Sequence, residues 1–209
     1  MNPTYCYLHL RGAGRDPSDL RQALTGRVLG GWRRSGITVW GVWEGIFGIA
    51  SNELIVVAAA ADARDADGFT SALGAGIEVR DVLTMQPTVR PDGTAPCSRS
   101  GLYVFRFFQV MDRDVEEVAS LSRQAWETFE NTSAYAAEPQ GLFRQAVPAS
   151  EWGRMLLVTW YDGLASWQTS RQPAPEAMAN FLRRRELTGG TLALATRLLA
   201  PFPDSTGLD

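Results

Sequence analysis

Two stretches of this chain repeat one design about a hundred residues apart. NELIVVAAAADARDADGFTSA begins at Asn52, and GRMLLVTWYDGLASWQTSR runs from Gly153 to Arg171. In each, a run of apolar and β-branched residues stops at small or acidic residues and the chain resumes with an aromatic at helical spacing. A strand that feeds straight into an aromatic-bearing helix must close a core between them. Asp62 and Asp162 are the expected helix starts, with Phe69 and Trp167 turned inward.

The same order of elements can be laid out around both stretches. In the first half TYCYLHLR reads as a strand, Pro17 to Arg34 as a helix, ITVWGVWEG and NELIVVAAAA as strands, Ala63 to Leu73 as a helix and IEVRDVLTMQP as a last strand. In the second, LYVFRFFQV reads as a strand, Asp114 to Glu130 as a helix, GLFRQAV and RMLLVTWY as strands, Leu164 to Arg171 and Pro175 to Leu187 as helical, and TLALATRLLAP as a last strand. Pro87 and Pro201 close the two last strands. The helix from Asp114 is the firmest: Val115, Val118, Ala119, Ser122, Ala125, Trp126 and Phe129 share one face, and acids sit near its positive end. Its first-half counterpart carries Gly26, Gly30 and Gly31, each costing about 1 kcal/mol against alanine, so a shorter or broken helix is expected.

Each half therefore reads β-α-β-β-α-β, the ferredoxin-like arrangement of a four-stranded antiparallel sheet with helices on one face. Residues 1–90 form the first repeat, the Pro- and Gly-rich segment 91–101 an exposed linker, and 102–209 the second repeat. LYVFRFF, MLLVTWY, GITVWGVW and LIVVAAAA are apolar on both faces, whereas a lone sheet with one wet face would alternate. Packing sheet on sheet meets that demand, so the expectation is an α+β chain of tandem repeats whose two four-stranded antiparallel sheets pack into a pseudo-dimeric α/β barrel.

The second half resembles the NIPSNAP family of the dimeric α/β-barrel superfamily. YVFRFF is similar to that family's opening strand; the Trp-bearing helix, PQGLFRQ, LVTWYDGLASW and ALATRLLAP follow in the family's order. The likeness covers about half the chain. The first half departs from it, with Leu8 in the position of Arg106 and glycines in the first helix, and is expected to lack whatever site the family has. The resemblance implies the superfamily's range: cofactor-independent monooxygenases on polycyclic aromatics, muconolactone isomerases, and heme proteins held through a histidine of the C-terminal half.

Composition narrows that range. The sole histidine, His9, lies in the first strand, so no heme is expected, and two cysteines, Cys6 and Cys97, with no paired histidines offer no metal site. Lysine is absent, which removes Schiff-base chemistry, and neither a phosphate-binding glycine motif nor a nucleophile elbow is present. The expectation is no cofactor. A net charge of -3 with scattered arginines argues against nucleic acid, and Arg183-Arg184-Arg185 reads as a solvated helix end. IFGIASNELIVVAAAA is interrupted too early to span a bilayer, and the N-terminus has no signal-peptide pattern, so the expected setting is the cytoplasm, away from membranes.

What remains is a pocket in the second half for a small apolar or aromatic ligand, drawn from Tyr103, Arg106, Trp126, Arg144, Thr159, Trp160, Tyr161 and Trp167. Strand alternation puts Tyr103 and Arg106 on opposite faces, so both reach one cavity only across a bulge. Arg106 must meet either a carboxylate, with Glu127 and Asp162 as candidates, or a bound anion. The residues name no reaction. They also leave open a non-catalytic structural or interaction module, with homo-oligomer formation as its role.

Overall fold

The computed structural model describes residues 3–172 and 175–199, and of residues 175–177 the backbone only. The described residues fall into two compact units, one of residues 3–86, 93–100 and 196–199, the other of 87–92, 101–172 and 175–195. The first unit holds strands β1 (Thr4–Gly12), β2 (Ile37–Phe47), β3 (Glu53–Ala60) and β4 (Ile77–Pro87). The second holds β5 (Leu102–Met111), β6 (Ala137–Gln145), β7 (Trp152–Tyr161) and most of β8 (Thr188–Leu198). Within each, the strands lie in one order, β4-β1-β3-β2 and β8-β5-β7-β6, as the ferredoxin-like reading requires. Pro201, expected to close the last strand, lies outside the described residues.

In the first unit, α1 (Ser18–Ala23) runs through a π-helical turn, Leu24–Val28, into α2 (Leu29–Arg34). The glycines do not shorten this helix; the disturbance they cause is the π turn, which contains Gly26. A short α3 (Ala66–Thr70) replaces the expected Ala63 to Leu73 helix. Its cap is Asp65, whose carboxylate accepts from the Gly68 amide at 3.0 Å. Asp62 instead pairs with Arg64, 2.8 Å away, and starts nothing.

One continuous core joins the helices to the sheet. Cys6, Leu8 and Leu10 of β1 and Leu54, Val56 and Ala58 of β3 meet Leu20, Leu24, Val28, Trp32 and Phe69. The Trp32 indole donates to the Phe69 carbonyl at 2.8 Å, so its polar atom is satisfied in that core. The opposite faces of the same strands, with Tyr5, Tyr7, Ile55, Val57 and Ala59, are also buried, as their lack of alternation required. Of the segment 91–101, which has no regular secondary structure, Cys97 bonds through its amide to the Trp40 carbonyl and Gly93 through its carbonyl to the Tyr5 hydroxyl.

The second unit carries α4 (Val115–Glu130), α5 (Leu164–Thr169) and α6 (Pro175–Glu186). All seven residues of the expected α4 face are buried. α5 starts after Gly163 with no side-chain cap, so Asp162 is not its start. Here the layer between helices and sheet is split. One cluster gathers Phe108, Val110, Val118, Trp126, Leu142 and Met155; another gathers Leu102, Val104, Phe129, Ala137 and Tyr161, with Trp167 and Phe181 against it.

Candidate functional site

A cavity of about 590 Å³ lies in that split layer, and every residue lining it belongs to the second unit. Its floor is one sheet face: Val104, Arg106 and Phe108 from β5, Leu157, Thr159 and Tyr161 from β7. The register between these strands is unbroken, so alternate residues stay on one face and Arg106 stands opposite Leu157. Trp126 and Phe129 of α4 and Phe181 of α6 supply an aromatic roof. Exposed Met178, Leu182, Arg171 and Arg185 border the cavity on its solvent side.

Of the residues the sequence suggested, Arg106, Trp126, Thr159 and Tyr161 line this one cavity. Tyr103 and Trp160 do not: no bulge interrupts β5, and both are buried on the other face, paired across the strands. Arg144 lies near the end of β6 opposite Met155 and is not part of the lining. Trp167 packs beside the second cluster, its indole nitrogen buried with no hydrogen-bond partner among the described residues. Arg106 pairs with neither Glu127 nor Asp162. Among the described residues it makes no ion pair and no hydrogen bond.

Sequence reading missed Arg184, which it placed in a solvated triplet. Three adjacent helical residues point about 100° apart, so one of them had to share the face of Phe181, three positions earlier. Arg183 is the solvated member, 2.9 Å from Glu117 and 3.1 Å from Glu186. Arg184 turns inward, stacks 5.2 Å from the Phe181 ring centre and donates to the Ser122 hydroxyl at 3.3 Å. The Ser122 hydroxyl donates in turn to the Val118 carbonyl at 2.7 Å and is a neutral partner.

Among the described residues the lining carries four arginines, Arg106, Arg171, Arg184 and Arg185, and no carboxylate. Burial, and then the neighbouring Arg106 charge, push the Arg184 guanidinium down to about 10, against a smaller pull upward from Tyr161. Burial and the Arg171 charge lower Arg106 in the same way. Both remain cations at neutral pH. The Tyr161 phenol is raised by burial, an effect that the Ser170 hydroxyl and the charges of Arg106, Arg171 and Arg184 only partly offset, so it is protonated and able to donate.

Heme, which the superfamily includes, asks for an axial histidine, thiolate, methionine or tyrosinate. No histidine or cysteine lines the cavity, Tyr161 is held as a phenol and Met178 sits at the exposed rim. His9 lies in the first unit, its Nε2 donating to Glu53 at 2.8 Å. These residues do not fit a histidine-ligated heme.

No protein-family model matches the chain, and no curated protein is significantly similar to it in sequence. Solved structures are similar in fold. A candidate monooxygenase of Lactobacillus acidophilus NCFM superposes with a TM-score of 0.57 at 12% identity, over 95% of this chain and 94% of its own. An anthrone oxidase-like protein gives 0.60 at 13%, over 94% and 91%. A variant of DypB from Rhodococcus jostii RHA1, in complex with heme, gives 0.56 at 12%, over 94% and 93%. At such identities the likeness is one of fold alone: this chain shares a ferredoxin-like, dimeric α/β-barrel architecture with these structures.

Proposed function

We propose that the protein binds a small apolar or aromatic molecule in the cavity of its second unit. The observation that carries this is a contrast between two units of one strand order: the first fills the layer between helices and sheet with a continuous core, and the second leaves about 590 Å³ there. Interiors pack to crystal-like density, and a void of this size with aromatic walls and a few polar groups is the make-up of a ligand site. The reaction classes that suit these walls develop negative charge on an aromatic substrate, cofactor-independent oxygenation or isomerisation, since guanidinium groups and a phenol are placed to stabilise an oxyanion. The names of the monooxygenase and anthrone oxidase-like neighbours support this direction. Membership of the NIPSNAP family is part of the same reading and rests on the motifs from YVFRFF to LVTWYDGLASW.

A thermal-shift panel of aromatic acids, quinones and neutral polycyclic aromatics tests the reading. A ligand at 100 times its dissociation constant stabilises by about 2.7 kcal/mol, about 5–10 °C for a chain of this size. Leu157→Trp fills the floor of the cavity and is expected to abolish every such shift. A panel that leaves the wild type unmoved, or shifts that survive Leu157→Trp, would contradict the reading and favour a structural module.

A further inference from the structure

The arginines in the cavity lack what buried arginines ordinarily have. A buried guanidinium is stable when a carboxylate neutralises it. Arg106 rises from the middle of β5 and has no ion pair or hydrogen bond among the described residues, while Arg184 has only a neutral hydroxyl and a ring face. Three acids of the surrounding helices are committed elsewhere: Glu117 and Glu186 to Arg183, and Glu130 to Arg90. The corresponding register position in the first unit is Leu8, fully buried in a filled core, so the fold itself does not demand a cation there.

We infer that the ligand is an apolar monocarboxylic acid bound as its anion, with the carboxylate held by Arg106 and Arg184 and the hydrophobic body against Trp126, Phe129 and Leu157. This rests on the ligand reading of the same cavity and adds the charge of the ligand to it. The anion supplies the counter-charge that the lining omits, and a planar guanidinium is suited to bidentate contact with a carboxylate. Tyr161 stands on the same face as a protonated donor for the second carboxylate oxygen. The Arg106 charge lies near enough to lower the basicity of Arg184, and an anion between them relieves that repulsion.

Isothermal titration with matched probes tests the inference: 2-naphthoate against 2-naphthamide, and decanoate against decanamide, which keep the body and remove the charge. The acid of at least one pair is expected to bind about tenfold or more tightly than its amide, the difference made by one charge-assisted pair. Whichever pair shows the larger preference identifies ring or chain as the body. Arg106→Gln and, separately, Arg184→Gln should bring acid and amide to within about threefold, chiefly by weakening the acid, and Arg183→Gln should preserve the preference. Melting of each unliganded variant at or above the wild-type temperature shows that it is folded. Acid and amide bound equally by the wild type, or a preference that survives both substitutions, overturns the inference and leaves the ligand reading in place. If neither member of either pair binds and the wider panel is also silent, both fail together.

Discussion

Glu53 shows what a satisfied charge looks like in this chain. Its carboxylate is 5% exposed and accepts from His9 Nε2 at 2.8 Å, Arg11 Nε at 2.8 Å and the Ala50 amide at 3.1 Å. Burial pushes its carboxyl upward, but the Ala50 amide, His9 and Arg11 outweigh it, and the net shift is downward. The folded protein therefore binds this proton less readily than the unfolded chain does, so the stabilisation is present above the ordinary carboxylate range and is lost as pH falls through and below it. Glu53→Gln is expected to cost about 1–3 kcal/mol at pH 7, since it removes the nearer of the two carboxylates beside Arg11, and to flatten the fall in stability between pH 6 and pH 3. Urea titration of both proteins at both pH values measures this; equal pH slopes would remove Glu53 from the account. Arg106 is the opposite case, a charge with no ion-pair or hydrogen-bond partner among the described residues. Its face was legible from strand alternation alone. Its lack of a partner was not, because which acids reach it depends on how three helices settle.

The element that both units treat alike is the second strand of each sheet. β2 pairs with β3 as Ile37–Ala60, Thr38–Ala59 and Val39–Ala58, then slips one residue to Gly41–Val57; β6 pairs with β7 as Ala137–Tyr161, Glu138–Trp160 and Pro139–Thr159, then slips to Gly141–Val158. At each bulge the aromatic two residues on lies over the glycine: an added Cβ would be 2.2 Å from the Trp43 ring at Gly41 and 2.4 Å from the Phe143 ring at Gly141. Gly41→Ala and Gly141→Ala are each expected to destabilise by about 1–3 kcal/mol through overpacking, while Gly26→Ala, exposed with nothing within 4 Å, should be neutral or stabilising. Thermal melts of the three variants decide this, and a neutral Gly141→Ala would show that the ring swings aside freely. Much of the element order could be read from the sequence: the α4 face is complete at all seven positions, and β4 has its expected ends. The ends that failed were those where local chemistry competes. Asp62 finds Arg64 before it can cap, and Glu138-Pro139 hid the first half of β6, because proline and glutamate are poor strand formers that a bulge nevertheless accommodates.

At the scale of the molecule, one strand order serves two different interiors. The first unit seals its helix–sheet layer with aliphatic residues, Trp32 and Phe69, and the second divides that layer around arginines. Periodicity could reveal the layers, because it reports which side of a strand or helix is apolar. It could not reveal the void, which depends on summed side-chain volumes across facing elements. Among the described residues no helix is long and apolar enough to cross a membrane. The central claim is that the second unit gives up stability at Arg106 in order to hold an anion, a trade common at binding sites. Calorimetric melting of Arg106→Leu, which places at this position the residue type that the first unit has at Leu8, tests it most directly, with and without the tightest acid found above. The account predicts a higher melting temperature than wild type for the free variant, by about 2–4 °C for each kcal/mol of relieved desolvation and repulsion, together with loss of the acid-induced shift. A variant that melts lower than wild type while still being stabilised by the acid would contradict it.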